Sequence, residues 1–348
     1  MTELEPGLLH PGGRFGDFEV VAELGHGGMG AVYRVRDPGT GLDYAAKVML
    51  PGLGGEDMKR RFIREAELAM KVEHRNLVKV YDVGRDPETG YAYMIMDYAP
   101  GGCLHDRISE RLVAGRRFTV REALEIVRKI LSALSAAAAH GVVHRDIKPD
   151  NILFDEEGEP VLTDLGVAKD ASGAVTVLTM SNVIVGTPAY MAPEQMTSAH
   201  DVDIRADLYA LGIVLWEMLA GERPNADASQ SELMVKAVRC ERIPDIGAYR
   251  KGLPRHVTSF IKKMTDPRPQ HRFATPDAAL RFLEEWRELE RRNFRRFLVC
   301  ILSATALVLI AVVAVGVRWI ADSRAGSALQ EGASRAADGE FSIPDSVE

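Results

Sequence analysis

Cysteine is scarce in this chain of 348 residues: only Cys103, Cys240 and Cys300 are present, and no two of them form a C-x-x-C pair. This spacing excludes a disulfide framework and a cysteine-based zinc site, and it fits a reducing compartment. An excess of positive charge is also missing, because the formal net charge is −7. Without a broad basic field, nucleic acid is set aside as a partner.

Long uncharged apolar runs are missing from most of the chain, with one exception near its end. Residues 297–317 read FLVCILSATALVLIAVVAVGV without a charged side chain. At a rise of about 1.5 Å per residue, a helix of this length crosses a hydrocarbon core of about 30 Å. A buried core helix is the alternative, but such helices are usually shorter. We therefore predict one transmembrane helix over 297–317, with the lipid bilayer as its partner.

The charges on either side of this segment predict its orientation. The basic juxtamembrane segment 286–296 ends in RRNFRR, whereas the tail 318–348 carries three arginines against six acidic residues. The positive-inside rule then predicts that residues 1–296 are cytoplasmic and that the C-terminus is extracytoplasmic. We expect the tail to be disordered, because it is too short and too poor in apolar residues to form a core. The start of the chain shows no secretory signal pattern.

The octapeptide His144–Asn151, HRDIKPDN, places three chemically useful groups in one short loop. The carboxylate of Asp146 can orient and deprotonate an attacking hydroxyl, and Lys148 can neutralise charge on a moving phosphoryl group. The amide oxygen of Asn151 can hold a metal ion. A polar surface turn is the alternative interpretation. Phosphoryl transfer is the chemistry that this combination predicts.

A glycine-rich turn predicts a phosphate-binding hairpin. Residues 18–24 alternate as a strand does, residues 25–30 read GHGGMG, and residues 31–36 alternate again. In a dinucleotide fingerprint the same glycines would instead open a helix. Backbone N–H groups of such a turn can close over the phosphates of a nucleotide, and Val32 would then lie against its base. An ordinary glycine hairpin is the alternative.

Together these motifs resemble those of the protein kinases, whose catalytic loop reads H-R-D-x-x-x-x-N. The resemblance covers about residues 18–290, and it is most similar to bacterial receptor-type (Hanks-type) serine/threonine kinases with a single transmembrane helix. It implies an α+β, two-lobed fold over 18–285: a small antiparallel-sheet N-lobe, 18–98, and a mainly helical C-lobe, 101–285, after a leader, 1–17. A lysine two residues after the catalytic aspartate, as Lys148 is after Asp146, is the arrangement found in serine/threonine kinases.

The resemblance also implies an ATP site with Mg²⁺, or Mn²⁺, as cofactor. Lys47 contacts phosphates, Glu65 in a predicted helix over 56–72 aims Lys47, and Asp164 joins Asn151 as a metal ligand; Glu67 is the weaker candidate for the partner of Lys47. Met96 guards the back of the adenine pocket, although a core-filling methionine is equally consistent. The implied ATP-binding residues are Leu24, Gly25, His26, Gly27, Gly28, Met29, Gly30, Val32, Ala45, Lys47, Met96, Asp97 and Ala99.

Residues 167–194 correspond to an activation segment. Its candidate phosphorylation sites are Thr176, Thr179 and Ser181, and we hypothesise that a phosphate there docks on Arg145. The alternative is a polar loop with chance hydroxyls. The remaining implied structural roles are Thr187 contacting the catalytic Asp and Lys, Glu194 pairing with Arg272, and Asp207 bracing the catalytic loop.

The sequence thus predicts a membrane-anchored serine/threonine protein kinase that acts in signal transduction. Its predicted partners are ATP, proteins with Ser or Thr hydroxyls, and a second copy for autophosphorylation in trans. A pseudokinase, a binding module without chemistry, is one alternative, disfavoured because Lys47, Asp146 and Asp164 are all present. A small-molecule kinase is another, disfavoured by the intact segment from Gly186 to Glu194, which shapes a protein-substrate groove in the family.

Overall fold

The computed structural model describes residues 9–27, 30–49, 55–87, 89–165, 188–197 and 202–337. The chain divides into two compact units, Met1–Leu283 and Glu284–Glu348.

The first unit begins with a six-stranded antiparallel sheet in the order β1-β2-β3-β4-β6-β5. The strands are β1 Arg14–Phe15, β2 Phe18–Gly27, β3 Gly30–Arg36, β4 Asp43–Met49, β5 Val80–Arg85 and β6 Ala92–Asp97, and helix α1, Gly55–Ala69, lies between β4 and β5. This confirms the predicted antiparallel-sheet N-lobe.

Two strands of this sheet differ from the sequence expectation. Strand β1 lies in the segment expected to be a leader before the domain; it pairs with β2, and the buried ring of Phe15 meets Tyr93 edge-on at 5.4 Å between centroids. Burial of this aromatic side chain makes the segment part of the fold. Strand β5 escaped prediction because, apart from the buried Val80, its side chains do not alternate between buried and exposed.

Alternation along the strands separates the two faces of the sheet. Tyr33, Ala46 and Ile95 belong to a small core on one face, whereas Ala45 and Met96 join the main core on the other. Because side chains two residues apart point to the same side of a strand, Lys47 shares the face of Ala45. The side chain of Lys47 therefore lies on the face of the sheet that packs against the main core.

The rest of the first unit is mainly helical, as predicted for the C-lobe. Its elements are α2 Leu104–Val113, α3 Val120–Ala139, β7 Ile152–Phe154, β8 Pro160–Leu162, α4 Pro193–Thr197, α5 Ile204–Ala220, α6 Gln230–Val238, α7 Ile246–Tyr249 and α8 Arg255–Met264. Helix α3 begins with a capping box formed by Thr119 and Glu122, and it ends before Gly141, whose φ of 72° is the left-handed conformation typical of a helix end.

Helix α5 is buried over nearly its whole length and forms the centre of the C-lobe. At Gly212 a Cβ atom would lie 2.7 Å from side-chain atoms of both Met264 and Thr265, so the glycine permits close packing against α8. Two acidic residues, Asp207 and Glu217, are buried on α5. Buried carboxyl groups require hydrogen-bonding partners, and both residues contact the site described below.

The last helix, α9, has the bounds Pro276–Ala337. Within the described residues one stretch, Phe297–Leu329, is long and apolar enough to cross a membrane by length and composition, and it contains the predicted span. Residues 318–337, at the start of the tail for which disorder is expected, continue this helix in the structure. Six alanines favour helix there, and the first proline after the span is Pro344.

Candidate active site

The catalytic loop, residues 144–151, lies between α3 and β7, and Asp207 on α5 hydrogen-bonds its backbone. The carboxylate of this buried residue accepts the backbone N–H groups of His144 and Arg145, each at 2.7 Å. Burial raises the pKa of the Asp207 carboxyl, although the two N–H donors oppose this effect. Arg145 has a φ of 63°, a left-handed conformation that is uncommon for a residue with a side chain. The brace predicted at Asp207 thus holds a strained part of the loop.

The imidazole of His144 connects the loop to the end of β8. It is fully buried, and its Nε2 lies 2.8 Å from the carbonyl oxygen of Thr163. The backbone N–H of Asp146 points to Nδ1 at 3.3 Å. An imidazole with one N–H and one acceptor nitrogen satisfies both contacts when Nε2 carries the proton. His144 therefore ties Asp146 to the residue that precedes Asp164.

The three functional groups of the octapeptide lie together in the structure. The amide nitrogen of Asn151 donates to the backbone oxygen of Asp146 at 2.7 Å and to its carboxylate Oδ2 at 3.2 Å. The Nζ atom of Lys148 is 3.6 Å from the same Oδ2. The Asp146 side chain keeps about a fifth of its surface exposed, so solvent and a substrate hydroxyl can reach it.

The two predicted metal ligands meet at one end of a small sheet. Strands β7 and β8 pair from Ile152 opposite Leu162, and the N–H of Thr163 donates to the Asn151 carbonyl at 2.9 Å. Asn151 and Asp164 therefore flank the same end of the pair. An amide oxygen and a carboxylate are the hard oxygen donors that Mg²⁺ prefers. The described residues contain no group of three or more His, Cys, Asp or Glu suited to a metal. Phosphate and water would complete the coordination, as is usual for Mg²⁺.

Lys47 reaches this end of the sheet from the N-lobe. Its Nζ lies 2.6 Å from Oδ1 of Asp164. Burial alone would raise the pKa of the Asp164 carboxyl, but the ammonium of Lys47 outweighs this effect and lowers it. The carboxylate is thereby kept ionised, as a metal ligand must be. Glu65 lies on α1, but its side chain is outside the described residues, so its pairing with Lys47 stays a prediction.

The glycine turn joins β2 and β3 as a hairpin and does not open a helix. Gly28 and Met29 lie outside the described residues. A Cβ atom on Gly30 would lie 2.3 Å from the carbonyl oxygen of Val48, whereas one on Gly25 would meet nothing within 4 Å. Gly30 therefore serves close strand packing, and Gly25 borders open space.

Four other implied ATP-binding side chains differ in exposure. Leu24 leaves 45% of its surface exposed. His26 is also exposed, and its Nδ1 lies 2.9 Å from Glu23. Val32 is partly buried against the main core, and Ala45 is fully paired into the sheet opposite Met96. Leu24, Val32 and Ala45 offer apolar surface of the kind that a nucleobase contacts.

Three implied ATP-binding residues, Met96, Asp97 and Ala99, lie at the end of strand β6 or just after it. Met96 is buried and lines a small cavity with Val80 and Leu165, so it packs as core as well as bordering the site. The N–H of Asp97 donates to the Lys79 carbonyl at 3.0 Å. Asp97 can therefore offer an adenine edge its carbonyl oxygen only. Ala99 is partly buried beside the same core.

The activation segment is described only at its end. Thr176, Thr179, Ser181 and Thr187 lie outside the described residues, and their roles stay predictions. At the end of the segment, Glu194 accepts both terminal nitrogens of the Arg272 guanidinium at 2.6 and 2.8 Å. Arg272 is fully buried and also donates to three backbone carbonyls. Such a bidentate buried pair fixes the end of the segment against the start of α5 and the loop that follows α8.

Sequence reasoning missed three buried polar residues at this site. The hydroxyl of Tyr190 donates to Glu217 Oε2 at 2.7 Å, and burial raises the pKa of both groups. Gln195 hydrogen-bonds the backbone of both Ala192 and Arg145 at 3.0 Å. Its position, the third in a helix that starts at Pro193, was the available signal, since Gln or Glu there often caps a helix.

Comparison with known proteins places this geometry in a family. The family described as "Protein kinase domain" matches residues 18–282. The probable serine/threonine-protein kinase pknA2 of Bifidobacterium longum is 36% identical over 277 residues, covering 77% of this chain and 35% of its own length. PrkC of Bacillus subtilis is 32% identical, with 82% of this chain and 42% of PrkC covered.

Solved structures give the same result. The kinase domain of PknI from Mycobacterium tuberculosis superposes with a TM-score of 0.63 at 28% identity, covering 80% of this chain and 99% of that domain. The chain spans less than half of the length of the two curated relatives named above. With a family match that covers most of the chain, a shared fold and the assembled loop, this chain belongs to the protein kinase family and is similar to the bacterial Hanks-type serine/threonine kinases.

Proposed function

We propose that this chain transfers the γ-phosphate of ATP to Ser and Thr hydroxyls of proteins, as a membrane-anchored kinase. The observation that carries the proposal is the meeting of two groups: Asp146 with Lys148 and Asn151 in one loop, and Lys47 with Asp164 at 2.6 Å beside it. The first group is placed to orient the hydroxyl of the protein substrate, and the second is placed to bind the phosphates of ATP. Relatives named as serine/threonine kinases support the same substrate class.

Each residue then has a role in the reaction. Asp146 orients the attacking hydroxyl and accepts its proton late, because a loose phosphoryl transition state needs positioning more than deprotonation. Lys148 lies beside that carboxylate and offsets negative charge on the moving phosphoryl group. Lys47 contacts the α- and β-phosphates. Asn151 and Asp164 would hold Mg²⁺, which would supply positive charge to the phosphate oxygens.

A protein mixture separates this function from its alternatives. The purified chain, incubated with labelled ATP and a cell extract inactivated by heat, should label proteins on serine and threonine. A pseudokinase would label nothing, and a small-molecule kinase would label only the low-molecular-weight fraction. Either of those results would reject the proposal.

The anchoring part of the proposal rests on residues 297–317. They lie within the helical stretch that is long and apolar enough to span a bilayer, and arginines precede them. The kinase domain is then on the cytoplasmic side and the C-terminus is extracytoplasmic.

Activation by autophosphorylation is proposed from the sequence of the activation segment. Thr176 and Thr179 are the preferred sites, Ser181 is a third, and Arg145 is the docking group. A second copy of the chain would supply the active site in trans. Mapping phosphates by mass spectrometry tests this idea: if Thr176→Ala with Thr179→Ala leaves phosphorylation and activity unchanged, it is wrong.

A further inference from the structure

Gln195 links the end of the activation segment to the catalytic loop through both ends of its side-chain amide. It is buried, with 9% of its surface exposed. Its Oε1 accepts the backbone N–H of Ala192 at 3.0 Å, and its Nε2 donates to the carbonyl oxygen of Arg145, also at 3.0 Å. One amide group therefore satisfies one backbone donor and one backbone acceptor in two different segments.

The acceptor is part of the peptide bond that carries Asp146. In that peptide unit, the oxygen of Arg145 is held by Gln195, and the N–H of Asp146 is held by Nδ1 of His144 at 3.3 Å. The preceding unit is fixed by Asp207, which accepts the Arg145 N–H at 2.7 Å. These contacts maintain the left-handed φ of 63° at Arg145. Such a conformation persists only where its surroundings hold it.

We propose that Gln195 is a positioning residue for Asp146: its donated hydrogen bond orients the peptide before the base and couples that base to the anchored end of the activation segment. The inference rests on the proposed function, because Asp146 acts as a base only if the chain transfers phosphate. A shift of about 1 Å in such a group reduces the rate strongly.

The substitution Gln195→Glu isolates the donated bond. A glutamate keeps an oxygen for the Ala192 N–H and is a favoured residue at this helix position, so the cap at the start of α4 is retained. A carboxylate has no proton to donate to the Arg145 carbonyl, and two acceptors then face each other. The lost bond and the repulsion should lower kcat about tenfold or more. The KM for ATP should stay unchanged, because Gln195 contacts none of the implied ATP-binding residues that the structure describes.

The experiment uses the full chain purified in detergent, with labelled ATP and myelin basic protein as the probe substrate. Gln270→Glu, the same substitution at an exposed position, is the matched control and should retain wild-type kcat. Gln195→Met, which loses both bonds, should lower Tm as well as kcat. Binding of a fluorescent ATP analogue should be equal in all four proteins.

Four outcomes decide the inference. A selective loss of kcat in Gln195→Glu, with Tm and nucleotide binding retained, supports it. Equal kcat in Gln195→Glu and Gln270→Glu overturns it, and so does a fall in Tm with normal kcat in the folded fraction, which would mean that Gln195 only caps α4. An inactive wild-type chain would refute the proposed function itself, and the inference with it.

Discussion

At the scale of single residues, Asp146 depends on side chains that lie elsewhere in the chain. Its own loop supplies Lys148 and Asn151, but the backbone around it is held by Asp207 and Gln195. These two residues make no contact with an implied ATP-binding residue within the described part of the chain. Any effect of these two residues on catalysis must therefore pass through the position of Asp146, the proposed base.

Asp207→Asn tests this dependence. In the wild-type chain each oxygen of the Asp207 carboxylate accepts one backbone N–H. Asparagine keeps only one acceptor oxygen, so its NH₂ group would face the other N–H, and two donors would meet. A buried donor left without a partner costs about 1–3 kcal/mol, so the free energy of unfolding should fall by this amount and kcat should fall with it. Urea unfolding and a kinase assay measure the two effects.

Asp203→Asn is the control for that substitution. Asp203 caps the same helix, α5, from a half-exposed position, and asparagine caps a helix about as well as aspartate. It should retain stability and activity. Equal losses in the two variants would show that Asp207 acts only as a generic helix residue.

At the scale of elements, local sequence patterns predicted what is local in the structure. The strands around the glycine turn and the loop 144–151 follow from periodicity and motif within short windows. Gln195 was missed because its acceptor lies 50 residues earlier in the chain. Strand β1 was missed because two residues give no measurable alternation, and its identity depends on Phe15 packing against Tyr93.

The glycine turn gives a prediction at this scale. Gly30→Ala should lower Tm, because the new Cβ would overlap the backbone oxygen of Val48, which cannot rotate away. Gly25→Ala should leave Tm unchanged, since nothing lies within 4 Å of its Cβ, and should raise the KM for ATP by obstructing close approach of phosphates. Thermal melts and ATP titrations separate the two. An unchanged KM in Gly25→Ala would mean that the turn does not lie over the phosphates.

At the scale of the whole molecule, the chain consists of a kinase unit and a second, helical unit that contains the apolar stretch. Composition was sufficient to predict the apolar stretch. Composition did not predict the helix over residues 318–337, although alanine is the strongest helix former.

Cell fractionation tests the proposed anchoring. The full chain should sediment with membranes and resist carbonate extraction, whereas a chain that ends at residue 296 should be in the soluble fraction. Protease added outside intact cells should remove a tag at the C-terminus and leave the kinase domain protected. Recovery of the full chain in the soluble fraction would contradict the anchoring.

The central claim is that Asp146 is needed for phosphoryl transfer but not for the binding of ATP at the same site. The most direct measurement compares wild-type chain with Asp146→Asn for transfer of label from γ-labelled ATP to protein serine and threonine, with Lys47→Met as a second variant. Both variants should lose transfer by about a thousandfold, while Asp146→Asn keeps its Tm and its affinity for a fluorescent ATP analogue. Wild-type transfer by Asp146→Asn would contradict the account.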